Sequence, residues 1–273
     1  MLNQQVIDLG YVKVGISSFG EGRPLFLIPG FPFSSKSYYF LKPYLDPGFQ
    51  VTAIDLPGMM GNSEFKQEAA YTIIEYAKVV VDTIKILYPD QQILVGGASI
   101  GGILSLLAAY YLPTKVTRVF AVATPPQGCA FEENNRNLAV AIRLAWRIPL
   151  LGHLLKQWLF HFRIIKMDQL IQFDTDLPEI KKNLINEYWS LNPPNVMKFL
   201  CDFFQQDFTK YYRMIQTPVV LIGGMKDKTF PIASIRETAV SLVNCKYIEL
   251  PDADHLFVVK NPQLFTQIIK ENS

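Results

Sequence analysis

Apolar residues alternate with polar ones, or run together briefly, at positions 6–16, 24–28, 50–54, 92–95, 116–123, 218–222 and 246–250, each stretch bounded by Gly, Pro or Asp. Short runs of this kind predict β-strands. Between most of them the apolar positions recur every three to four residues, at 34–45, 69–87, 100–111, 232–243 and 261–271, which predicts helices. Strands alternating with helices imply a largely parallel sheet covered on both faces, an α/β architecture.

The alternation stops after Pro125-Pro126 and resumes at Pro218. The intervening residues carry helical patterns and are too many for a simple loop. They are expected to form an inserted helical cap over 125–208, with the core made from 1–124 and 209–273.

Composition narrows the class without identifying it. The 273 residues can bury a substantial core. A formal net charge of +2, with 18% charged and 49% hydrophobic residues, gives no signature of nucleic-acid binding. Cys129, Cys201 and Cys245 are scattered and odd in number, supporting neither a disulfide framework nor a metal cluster. The first ten residues lack a basic patch followed by an apolar stretch, and no run reaches bilayer-spanning length, so a cytoplasmic location is expected.

The chemistry begins at Gly97-Ala98-Ser99-Ile100-Gly101, between the apolar run Ile93-Leu94-Val95 and the helical pattern from Ile100. A G-x-S-x-G pentapeptide suits a sharp strand-to-helix reversal that lifts the serine above the sheet. Serine needs a base, and the base needs an acid to fix its tautomer. Of three histidines, His153 and His161 fall in the expected cap, whereas His255 follows a predicted strand. Asp227 likewise follows the apolar run 219–222, and catalytic groups in such sheets gather beyond the carboxyl ends of the strands. Asp55, Asp252 and Asp254 read as turn residues.

Further stretches give the pattern a family. Leu27-Ile28-Pro29-Gly30-Phe31-Pro32 resembles the oxyanion loop of the α/β-hydrolase superfamily, and the run from Ile54 through Asp55-Leu56-Pro57-Gly58 to Gly61-Asn62-Ser63 resembles its D-L-P-G-x-G-x-S turn. Gly224-Met225-Lys226-Asp227 with Pro231 is similar to the family's acid loop, and Asp254-His255 with Pro262 to its histidine loop. The chain departs from the pattern at Pro29, where the family usually has His, at one extra residue between Gly58 and Gly61, and at Asp254 in place of Gly. The resemblance implies an α/β-hydrolase fold and a triad of Ser99, Asp227 and His255. It also implies an oxyanion hole from the backbone N–H groups of Phe31 and Ile100, with no cofactor or metal.

The function implied is a serine hydrolase cleaving an apolar carboxylic ester through an acyl-enzyme. Carbon–carbon bond hydrolysis, perhydrolysis, acyl transfer and iminopeptidase chemistry use the same triad, and a ligand-binding role on this fold is a further reading. Phe31, Phe33, Tyr38, Tyr39, Trp189, Phe199, Phe203 and Phe204 suit either an apolar cleft or an ordinary core. From Arg136 to Lys166 there are six basic residues and no acidic one, interleaved with Leu and Trp. This reads either as a helix pair with a solvated basic face or as a surface for an anionic carrier or membrane.

Overall fold

The computed structural model describes residues 2–59, 61, 63–66, 71–145, 147–159, 191 and 193–273. Among the described residues nine strands form one sheet: β1 (Asn3–Asp8), β2 (Val12–Phe19), β3 (Gly22–Ile28), β4 (Gly48–Ile54), β5 (Glu64–Phe65), β6 (Ile93–Ala98), β7 (Val116–Val122), β8 (Val219–Gly224) and β9 (Cys245–Leu250). Their order is β1-β2-β4-β3-β6-β7-β8-β9, with β5 paired to β2. The β1/β2, β2/β4 and β2/β5 pairs are antiparallel, and every pair from β4 across to β9 is parallel.

The parallel strands are apolar on both faces because both faces are covered. Phe26 and Ile28 of β3, Val119 and Ala121 of β7, and Val219 and Leu221 of β8 pack in one core, with helices α2 (Ile73–Leu87) and α3 (Ile100–Tyr111). Their neighbours Leu25, Leu27, Phe120, Val122, Val220 and Ile222 point to the opposite core. That second core is closed by α10 (Pro262–Asn272) through Phe265, Ile268 and Ile269. Side chains alternate across a strand, so one strand feeds two cores. Burying each Leu, Ile, Val or Phe stabilises the fold by about 1.5–3 kcal/mol.

Helix starts follow local chemistry. Thr72 caps α2 by accepting from the Glu75 N–H at 3.3 Å, while the Glu75 carboxylate accepts from the Thr72 N–H at 3.0 Å. Such reciprocal caps satisfy amides that have no partner inside the helix. At α10 the Asn261 side chain accepts from the Leu264 N–H, and Pro262 occupies the first helical position, where its missing N–H costs nothing.

Two expected elements are divided differently. Residues 6–16 do not form one strand: Gly10, at φ +88°, turns β1 back against β2, and its N–H donates to the Asp8 carboxylate. A left-handed residue reverses the chain at a point that apolar alternation alone does not mark. Residues 34–45 form a 3₁₀ segment, Ser35–Leu41, followed by the short α1 (Lys42–Leu45), in place of one helix.

Between β7 and β8 lie α4 (Ala130–Ala145), α5 (Pro149–Leu159), α6 (Pro193–Phe203) and α7 (Thr209–Tyr212). The chain leaves and returns at one neck, where the Phe208 N–H donates to the Pro126 carbonyl at 2.8 Å and the Gly128 N–H to the Gln206 carbonyl at 3.0 Å. A second tie runs from the Ile73 N–H to the Asp202 carboxylate at 2.9 Å. The remaining helices among the described residues are α8 (Ile232–Ser241) and α9 (Phe257–Lys260). No helix among the described residues is long and apolar enough to cross a membrane.

Candidate active site

Ser99 is the single residue between β6 and α3, and it holds φ 57° and ψ −123°. Its N–H continues the sheet by donating to the Val122 carbonyl at 2.8 Å. Its carbonyl already belongs to the helix, accepting from Gly102 and Ile103 at 2.9 and 3.1 Å. Strand and helix thus meet with no intervening loop, and a non-glycine residue is held in a conformation costing of order 1–3 kcal/mol. Ser99 does not cap α3 with its side chain. Among the described residues its hydroxyl makes no hydrogen bond.

Such an elbow fits only if its flanks are bare. A Cβ on Gly97 would lie 2.5 Å from the Gly101 carbonyl, and one on Gly101 would lie 2.0 Å from the Ile28 carbonyl oxygen. The two glycines of the pentapeptide therefore let α3 start directly against the end of β3.

The loop after β3 lies over the same point. A Cβ on Gly30 would lie 2.9 Å from the Ala98 carbonyl oxygen and 3.6 Å from the Ser99 Cβ. Ser99 therefore sits beside the Pro29-Gly30-Phe31 segment. Loop closure is local, with the Phe33 N–H donating to the Gly30 carbonyl at 2.9 Å. From below, the Tyr38 hydroxyl donates to the Ile28 carbonyl at 2.9 Å, and complete burial pushes the pKa of that phenol up. Ile100 is the first residue of α3, where an amide has no intrahelical acceptor. Among the described residues neither the Phe31 nor the Ile100 N–H donates a hydrogen bond.

Asp227 and His255 are 28 positions apart and meet because β8 and β9 are parallel neighbours whose following loops leave from the same edge. His255 Nδ1 lies 2.8 Å from Asp227 Oδ2. The Asp227 side chain is 1% exposed and that of His255 21%. Asp227 Oδ1 accepts from the N–H groups of Thr229 at 2.7 Å and Phe230 at 3.1 Å. The aspartate thus organises its own turn with one oxygen and holds the imidazole with the other. The two loops are pressed together, as a Cβ on Gly224 would sit 2.5 Å from the Ala253 carbonyl oxygen.

The other aspartates that the sequence singles out are engaged elsewhere. Asp55 Oδ1 accepts from the Ser35 N–H at 2.7 Å, and its carbonyl accepts from the Ser63 hydroxyl at 2.6 Å, which in turn accepts from the Gly15 N–H of β2 at 2.8 Å. Asp252 pairs with Lys226 at 2.6 Å. Asp254 accepts from the Leu256 N–H at 3.0 Å and pairs with Lys260. His153 is exposed on α5, and His161 and Trp189 lie outside the described residues.

Sequence reading missed the contacts between α4 and the acid loop. Asn135 interrupts α4 with φ −135° and ψ 34°. Its side-chain amide donates to the Thr229 and Phe131 carbonyls, both at 3.1 Å. An aromatic series starts at His255, whose ring is 5.5 Å from Phe230, and continues through Phe131 at 6.2 Å from Phe230 to Phe204, stacked on Phe131 at 5.2 Å. The one visible signal was the pair Asn134-Asn135, which favours a helix interior poorly.

Comparison with known proteins agrees with the fold. The α/β-hydrolase fold family matches residues 23–262. An uncharacterized hydrolase, YugF, of Bacillus subtilis is 25% identical over 254 residues, covering 91% of this chain and 89% of its own. A pimeloyl-(acyl-carrier protein) methyl ester esterase of Aeromonas hydrophila is 23% identical, covering 95% and 98%. Among solved structures, the enol-lactonase from Burkholderia xenovorans superposes with a TM-score of 0.77 at 18% identity, covering 98% of both chains. A thermophilic esterase from Thermogutta terrifontis gives 0.71 at 19% identity, covering 98% and 97%. With a largely parallel sheet, a serine elbow after β6 and a family match over most of its length, the chain belongs to the α/β-hydrolase fold family.

Proposed function

We propose that the chain is a serine hydrolase cleaving an apolar carboxylic ester, with Ser99 as nucleophile, His255 as general base and Asp227 as its orienting acid. Residues 125–208 act as a helical cap on the core of 1–124 and 209–273, a division supported by the neck between Pro126 and Phe208. The observation that carries the reading is the 2.8 Å contact between His255 Nδ1 and a buried Asp227 carboxylate. That contact keeps the proton on Nδ1 and leaves Nε2 free to take one.

In this reading Ser99 Oγ closes on Nε2 when substrate binds and attacks the ester carbonyl, and its proton passes to His255. Apo geometry in such sites is commonly looser than in the reacting complex. The negative charge moves to the carbonyl oxygen, which the N–H groups of Phe31 and Ile100 receive. Collapse of this intermediate transfers the His255 proton to the departing alcohol and leaves an acyl-Ser99 ester. Water, deprotonated by His255, then releases the acid and restores Ser99. The series Phe230, Phe131 and Phe204 backs the imidazole with a largely buried aromatic wall that runs to α4, an apolar setting that suits an apolar substrate.

The test is hydrolysis of p-nitrophenyl esters of increasing acyl length by wild type and Ser99→Ala. Turnover by wild type that disappears in Ser99→Ala is expected, with the preferred length measuring the acyl pocket. Equal inactivity of both proteins across the series would remove the esterase reading and favour ligand binding on the same fold.

A further inference from the structure

Seven of the fourteen large apolar side chains exposed among the described residues fall between positions 140 and 158. Val140, Leu144, Ile148, Leu150, Leu151 and Leu154 are between 38% and 69% exposed, and Trp158 is 48% exposed. Exposed apolar positions on α5 recur at i, i+4 and i+8 (Leu150, Leu154, Trp158), so an apolar stripe runs along its solvent side beside the exposed His153 and Gln157, where a surface helix normally turns polar residues outward. Monomeric soluble proteins seldom leave contiguous apolar area of this kind uncovered.

Beside this face α4 carries its arginines together with two acidic residues of its first turn, Glu132 and Glu133. Arg136, Arg143 and Arg147 are exposed on or just beyond α4, with Arg143 paired to Glu132. Across 136–166 the sequence adds Lys156, Arg163 and Lys166 and no acid. Between α4 and α5 opens a cavity of about 610 Å³, lined among the described residues by the apolar Leu138, Ala141, Leu155 and Trp158 and by the polar run from Glu133 to Asn137, which includes Arg136. Leucines and a tryptophan facing outward amid basic residues suit the boundary between acyl chains and anionic headgroups. An acidic soluble carrier would engage the arginines and leave the leucines wet.

We propose that the α4–α5 face docks on an anionic lipid surface, seating Leu150 and Leu154 among the acyl chains and the arginines at the headgroups. The docking deepens the esterase reading by presenting substrates held in a bilayer, and it is separable from it because binding needs no turnover. Asn135 ties the same α4 to the acid loop at Thr229, so the docked helix and the Asp227 loop are in direct contact.

Co-sedimentation with vesicles tests this, using phosphatidylcholine alone and equal parts phosphatidylcholine and phosphatidylglycerol. Wild type and Ser99→Ala are expected to sediment equally with the anionic vesicles and weakly with the neutral ones. The Leu150→Gln/Leu154→Gln double variant should bind roughly tenfold or more weakly, since membrane partitioning scales with the apolar area inserted. Arg136→Gln/Arg147→Gln should weaken binding to anionic vesicles and reduce its loss between about 0.1 M and about 1 M salt. The leucine and arginine side chains substituted are exposed, and unchanged circular dichroism and melting confirm the fold of each variant. Failure to bind anionic vesicles, binding unchanged in the leucine variant, binding only to an acidic acyl-carrier protein, or a dimer in light scattering that the leucine variant dissolves would each overturn the proposal. Loss of turnover in Ser99→Ala with vesicle binding retained would leave both readings standing. Turnover retained in Ser99→Ala would sink the catalytic one alone.

Discussion

Gly101→Ala probes the join on which the candidate site depends. The added Cβ would lie 2.0 Å from the Ile28 carbonyl oxygen, 2.8 Å from the Ile28 carbonyl carbon and 2.8 Å from the Pro29 oxygen. All three obstacles are backbone, so no side chain can rotate away. Restoring a contact of at least 3.0 Å to the Ile28 oxygen requires a shift of about 1 Å between α3 and the end of β3. Overpacking of this kind costs about 3 kcal/mol at the upper end, and alanine's helix preference over glycine returns about 1 kcal/mol. A net loss of about 2 kcal/mol corresponds to a Tm decrease of roughly 4–8 °C.

The functional cost should be larger. The same shift moves the segment carrying the Phe31 N–H away from the Ile100 N–H, and losing one oxyanion donor costs about 10²–10³ in kcat. Gly10→Ala is the control, because Gly10 has φ +88° and nothing within 4 Å of its Cβ position. It should cost about 1–2 kcal/mol through backbone strain alone and leave kcat unchanged. Calorimetry and ester turnover read both variants. A Gly101→Ala protein that melts within about 2 °C of wild type and keeps full kcat would refute the reasoning, because the close approach of α3 to β3 would then not constrain the site.

Asp227→Asn should retain the fold and lower kcat by about 10⁴, since an amide at 2.8 Å no longer enforces the tautomer with Nδ1 protonated; ester turnover beside an unchanged circular dichroism spectrum checks it. Asn135→Ala removes the donor to the Thr229 and Phe131 carbonyls, and a loss of about 1 kcal/mol is expected in urea melts, with kcat reduced more than KM is raised. Burial pushes the Cys245 thiol up to about 11, against about 8.5 unfolded. Because the folded value is the higher, the stability this group contributes is complete below about pH 8.5 and is lost as pH rises toward about 11. Cys245→Ala should therefore flatten the decline of stability over that window, measured by urea unfolding at successive pH values.

Much of the core was legible because a strand buried on both faces has few ways to be written. Runs such as Val219-Val220-Leu221-Ile222 admit no solvent face, and the helix Ile100–Tyr111 begins at the residue after the elbow serine and ends where its apolar pattern ends. The β1/β2 turn escaped because its mark is one glycine at φ +88° inside continuous alternation. The 3₁₀ segment Ser35–Leu41 escaped because apolar spacing does not distinguish i+3 from i+4 bonding over two turns. At the candidate site, Ser99, Asp227 and His255 could be nominated from the sequence because each directly follows a strand or the short loop after one. The Asn135 contact with Thr229 spans 94 positions and depends on how α4 is laid on the core, which no local pattern encodes.

The central claim is that Ser99 is a nucleophile activated by His255, and active-site labelling measures it most directly. A fluorophosphonate with an alkyl chain reacts with an activated serine and mimics the tetrahedral intermediate, so intact mass followed by peptide mapping reports the site modified. The account predicts a single adduct on the peptide carrying Ser99, formed slowly in His255→Ala and absent in Ser99→Ala. Label on another residue, or a Ser99 adduct forming at the wild-type rate in His255→Ala, would contradict it.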